Sequence, residues 1–167
     1  MAIRWKYTSK TGETRPWTLK ELVAGKPIGR PTHVMFVHFP IAFYYAVLAF
    51  DVLSRVGKHS WAPIAATWLL LGAFAATVVL AITGFVDRST MRPGKVKSTA
   101  TRHALIQIAA AVVFIVNFAI RWGDRTIPEA KPLWIVLDVI GVILVSVGAD
   151  IGGKLVYGFG MRVQESD

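Results

Sequence analysis

The 167-residue chain contains no cysteine, which excludes disulfides, thiolate metal ligands and a cysteine nucleophile. Charge is scarce as well. Only 17% of the residues are charged and 54% are hydrophobic, against roughly 25% charged in an ordinary soluble domain. Acidic residues are the scarcer kind, ten against nineteen Lys and Arg, for a net charge of +9. In a soluble protein that excess would suggest nucleic acid. Here the basic residues sit outside long apolar runs and form no aromatic-and-basic recognition segment, so no nucleic-acid partner is expected. The start of the chain also lacks an apolar run: residues 1–30 carry Arg4, Lys6, Lys10, Arg15, Lys20, Lys26 and Arg30, and no cleavable secretory signal is expected.

What the chain does have is four apolar blocks long enough to cross a bilayer, at about residues 33–53, 62–86, 103–121 and 132–151. Residues 31–50 hold no Lys, Arg, Asp or Glu, and residues 62–86 run for 25 positions without a charge. The blocks are continuous rather than alternating, and four strands cannot close an outer-membrane barrel, so helices are expected. The fold class is therefore all-α: an integral membrane four-helix bundle with up-down-up-down order over residues 31–153. An interfacial segment with a short helix near Leu19–Val23 precedes it, over residues 1–30, and a tail follows at residues 154–167. Pro40 lacks a backbone donor and crowds the preceding turn, which predicts a bend near His38.

The basic residues orient the bundle. Fourteen fall on the side of both termini, counting Arg88, Arg92, Lys95, Lys97, Arg102, Lys154 and Arg162 with the N-terminal seven; Arg55, Lys58, Arg121, Arg125 and Lys131 fall on the other. The positive-inside rule then places both termini in the cytoplasm. Trp5, Trp17, Trp61, Trp122 and Trp134 lie near span ends, where interfacial anchors are expected. The two outer connections read as short and the inner one as longer. Gly72 with Ala76, and Gly148 with Gly152, have the spacing that lets helices approach closely, within one chain or between copies in a homo-oligomer.

Two polar groups interrupt the apolar pattern. His33, His38 and His103 come to the terminal side with Asp87 and Asp150. Neutral imidazoles ligate haem iron or a transition metal, and a carboxylate orients an imidazole through its second nitrogen. His33 and His38 are five positions apart, about 140° around an ideal helix, so His38 facing His103 is the expected ligand pair for haem or metal. At the opposite side, Asp51, Arg55, Arg121 and Asp138 form a candidate set of Asp–Arg pairs that fixes helix register. The segment GGKLVYGFG at residues 152–160 is neither a Walker loop nor a dinucleotide fingerprint, because the strand-loop-helix context is missing. No catalytic constellation emerges.

The stretch HVMFVHFP at residues 33–40, followed by Asp51, Gly84 with Asp87, Arg102 with His103, and the glycine-rich tail, resembles a bacterial family of four-span membrane proteins designated domain of unknown function 2231. The resemblance covers most of residues 30–160. It implies the same bundle, a recurring polar set at His33, His38, Asp51, Asp87, His103, Asp150 and Lys154, and an inner-membrane, multi-pass location. Some relatives associate with iron-sulfur redox domains, which this cysteine-free chain does not contain. Two functional readings stand side by side. In one, the chain is a small structural or accessory subunit of a larger membrane or redox assembly, embedded in the lipid bilayer. In the other, His38 and His103 bind a b-type haem or a metal for electron transfer.

Overall fold

The computed structural model describes residues 6–8 and 12–161. Arg4, Trp5, Lys10, Arg162 and the tail beyond Met161 lie outside the described residues.

Two short strands, β1 (Lys6–Thr8) and β2 (Thr14–Pro16), pair antiparallel with Tyr7 opposite Arg15. The sequence pattern gave no sign of this hairpin, since three-residue strands are too short to show alternation. The helix expected near Leu19 is present as α1 (Leu19–Val23), started by a capping box between Thr18 and Glu21. Arg15 ties hairpin to helix: its guanidinium lies over the Tyr7 ring at 4.6 Å and donates two hydrogen bonds to Glu21, at 2.8 and 2.9 Å. Those bonds hold the Glu21 carboxyl well below the usual carboxylate range. A carboxyl whose folded value is lowered stabilises the fold above its unfolded value, so this contribution fades as pH falls below the ordinary carboxylate range. Gly25 then turns the chain at φ +76°, where a Cβ would stand 2.0 Å from the Arg30 carbonyl oxygen.

Four long apolar helical segments follow, each of membrane-crossing length. The first is broken into α2 (Thr32–Phe36) and α3 (His38–Val56). The break falls where Pro40 dictates: Phe36 is the residue four back, whose carbonyl Pro40 cannot bond and would crowd. The others are α4 (Ala62–Ser89), α5 (Lys95–Arg121) and α6 (Pro132–Gly153), and Pro63 and Pro132 open α4 and α6 at positions where a missing N–H costs nothing. A single π-type turn, Lys154–Gly158, ends the bundle.

The connection between α4 and α5 is a correction. It was expected to be long, yet α5 begins at Lys95, leaving residues 90–94 between helices. Lys95, Lys97 and Arg102 end the apolar block without breaking the helix, because Lys and Arg are good helix formers.

Within the bundle, α3 packs chiefly on α4 and α5 chiefly on α6, so two helical hairpins lie side by side. Their shared core holds Tyr44, Val47, Ala66, Leu70, Ala73, Ala110, Phe114, Val142 and Val145. Lipid tails are as apolar as these side chains, so close packing rather than water exclusion holds them. The Phe114 ring stacks on Tyr44 with centroids 4.0 Å apart and also meets Gly141, where a Cβ would stand 2.5 Å from Phe114 Cε2. Phe114 has no room to retreat. Gly141→Ala is therefore expected to destabilise the bundle by about 1–3 kcal/mol through overpacking, read as a shifted unfolding midpoint in mixed micelles; an unchanged midpoint would show that the ring can yield.

Gly148 and Gly152 continue the same face of α6. A Cβ at Gly148 would meet Gln107 at 2.8 Å, and one at Gly152 would meet His103 Cε1 at 3.1 Å. This small-residue pair is used inside the chain, by α5.

Candidate functional site

Polar side chains gather at the two ends of the bundle. At the end carrying both termini, the start of α2 meets the end of α4, and the early part of α5 meets the end of α6. His33 Nδ1 lies 3.1 Å from the Leu80 carbonyl oxygen and 3.2 Å from Thr83 Oγ1, both on α4. His103 Nδ1 lies 2.7 Å from the Gly148 carbonyl oxygen on α6. A carbonyl oxygen only accepts, so each ring carries its proton on Nδ1, leaving Nε2 as a lone-pair donor atom. Each ring also rests against a glycine: a Cβ at Gly84 would stand 3.0 Å from His33 Cε1, and Gly152 plays the same part for His103. The two rings face each other with centroids 6.4 Å apart and planes at 84°.

The pair brought together is His33 with His103, which corrects the expectation of His38 with His103. His38 opens α3 and is exposed. The wide angular separation between positions 33 and 38 allows one of them to face inward, and the Thr83 and Leu80 acceptors fix His33 in that place. Asp87, one turn beyond Thr83, is buried and close enough to His33 to act on it electrostatically. Asp150 does not join them. Gly148 and Gly152 both face α5, and Asp150 sits two residues from each, about 200° around the helix; it is exposed and bridges Lys154 at 2.8 Å.

At the opposite end, Arg121 Nη2 donates to both oxygens of Asp51, at 2.7 and 2.8 Å, and neither side chain has any exposure. The guanidinium lies over the Trp134 ring at 4.5 Å. Asn117 Nδ2 donates to Asp138 Oδ1 at 2.6 Å and to the Trp134 carbonyl oxygen at 3.1 Å. The Asp138 carboxyl adjoins that of Asp51, and both lie within the field of the Arg121 guanidinium, which bonds Asp51 alone. Arg55, expected among these Asp–Arg pairs, turns away to Glu129 at 3.1 Å and donates to the Ala130 carbonyl oxygen at 2.7 Å. The Ala130 N–H donates to Ser54 Oγ, so α3 pins the connection before α6.

Trp134 is a second correction. Expected as an interfacial anchor, it is buried as the platform beneath Arg121. Asn117 was legible only as a polar residue inside a span, with no spacing that would join it to Asp138.

Against known proteins, the family model described as "Predicted membrane protein (DUF2231)" matches residues 29–165. No curated protein and no solved structure matches the chain.

Proposed function

We propose, for a chain that belongs to the DUF2231 family of predicted membrane proteins, that the His33–His103 pair, half-buried where its helices meet, binds a b-type haem for electron transfer. The observation carrying this reading is the pair itself, two imidazoles with Nδ1 committed to protein acceptors and Nε2 left over. An Nδ1–H bond to a carbonyl is the usual outer support of a metal-binding histidine, fixing tautomer and ring orientation. The two rings are close neighbours, with centroids 6.4 Å apart, so both would serve one bound group.

The number of donors favours haem over a free ion. Among the described residues no group of three or more His, Cys, Asp or Glu is placed to hold a metal ion. A porphyrin supplies four ligands itself and asks the protein for one or two. Each histidine is fixed within its own hairpin, His33 against α4 and His103 against α6, so the two imidazoles meet across the seam between the hairpins. Haem iron held this way supplies one-electron chemistry. The protein's part is to hold both imidazoles, to keep water away with the surrounding apolar helices, and to place Asp87 near the His33 ring.

The basic residues support a placement of this site in the cytoplasmic half of a bacterial inner membrane, with both termini in the cytoplasm. An electron-transfer role there calls for a redox assembly as partner.

An absorbance spectrum of gently purified protein, oxidised and then reduced, tests the reading. Haem near one per chain, with sharp bands on reduction, is expected. Protein free of haem would sink it, and the histidines would then serve helix pairing alone, leaving the accessory-subunit reading, in which the chain copurifies with one larger membrane assembly.

A further inference from the structure

We propose that the cluster of Asp51, Arg121, Asp138 and Asn117 is a binding site for internal water, sealed within the end of the bundle opposite the termini. Among the described residues, the buried side-chain atoms without a hydrogen-bond partner are Arg121 Nε, Arg121 Nη1, Asn117 Oδ1 and Asp138 Oδ2. All four belong to this one cluster. The four side chains have no exposure, so neither bulk solvent nor lipid headgroups reach them.

Such a concentration calls for an occupant. Unpaired polar groups are rare inside folded proteins, and rarer still where the surroundings are hydrocarbon. The leftover atoms also specify its chemistry. Arg121 offers three N–H groups, one from Nε and two from Nη1, while Asn117 and Asp138 each offer an acceptor oxygen. A bound anion would face the carboxyls of Asp51 and Asp138, and a bound cation would face the guanidinium. The fitting ligand is neutral, small, and both donates and accepts. Water meets these conditions: it accepts from the free N–H groups of Arg121 and donates to Asn117 Oδ1 and Asp138 Oδ2, satisfying polar atoms in the manner of buried waters elsewhere. Trp134 covers one face of the guanidinium, which confines the water to the edge carrying the free N–H groups.

The consequence is a continuous polar chain from Asp51 through Arg121 and water to Asp138 and Asn117. It crosses from α3 through α5 to α6 inside the bundle. The site is separate from the His33–His103 pair and stands whether or not haem is bound.

Water-edited solid-state NMR of the full isotope-labelled chain in lipid bilayers tests the proposal. Magnetisation from water protons is followed into the side-chain carbons of Arg121 and Asp138. Thr67 provides the control for a sealed hydroxyl, since it is equally buried but its Oγ1 is satisfied by the Pro63 carbonyl oxygen. Val47, fully buried in the shared core, provides the dry control. Build-up at Arg121 and Asp138 several-fold faster than at Thr67 and Val47 is expected. Build-up no faster than at Thr67 would overturn the proposal, and so would rapid build-up at Val47, which would mean an open bundle rather than a bound water.

Discussion

Replacing Arg121 by methionine is expected to destabilise the bundle by about 3–5 kcal/mol, the usual cost of removing one partner from a buried ion pair. Methionine keeps much of the volume, so the loss is electrostatic rather than a cavity effect. Asp51 would keep its place with no exposure and without the two hydrogen bonds that Nη2 donates to it. The contact of the guanidinium with Trp134 would go too, worth about 0.5–2 kcal/mol depending on desolvation. Asp138 makes matters worse, because it adjoins Asp51 and would then share the site with no cation at all. Unfolding in mixed micelles measures the change. A loss below about 1 kcal/mol, the range of an exposed pair, would mean that water reaches Asp51 freely. The double variant Asp51→Leu, Arg121→Met is expected to recover much of the loss, since replacing both members of a buried pair by apolar groups is often close to neutral.

The histidine series carries the second large effect. His33→Ala and His103→Ala are each expected to abolish the reduced-haem bands of a two-imidazole site, because in the proposed site each would supply one of two protein ligands. His38→Ala is expected to leave the spectrum unchanged, since that side chain is exposed at the first residue of α3. The outcomes separate cleanly. Haem retained in His33→Ala but lost in His38→Ala would refute the geometry while keeping a haem protein; no haem in the unaltered chain would refute the function itself. Gly84→Val provides a subtler check, because even a Cβ there stands 3.0 Å from His33 Cε1 and the larger side chain would displace the ring without removing it.

Much of the fold was legible because membrane helices advertise themselves by length and apolarity. The α3–α6 segments follow from uninterrupted runs, and the break at Val37 follows from Pro40. The hairpin β1–β2 was not legible, for strands this short leave no period. Site residues were harder. The depth of His33, His38 and His103 was readable from sequence, but the choice between His33 and His38 rests on which one finds acceptors on α4, and a single sequence does not encode that neighbour. Asp150 was misplaced for want of knowing which way Gly148 and Gly152 face. Asn117 and Trp134 were missed as cluster members because their partners lie in another helix, 21 residues away for Asn117 and Asp138.

The pairing of helices into two hairpins also bears on how the molecule is made. Each hairpin carries only one of the facing histidines, His33 on the first and His103 on the second. The cluster at the other end is divided in the same way, with Asp51 on the first hairpin and Arg121, Asn117 and Asp138 on the second. Both polar sites are therefore incomplete until the hairpins dock. Only the docked hairpins bring His33 to His103 and bury Asp51 against Arg121, so the polar contacts at the two ends together select one register between the halves.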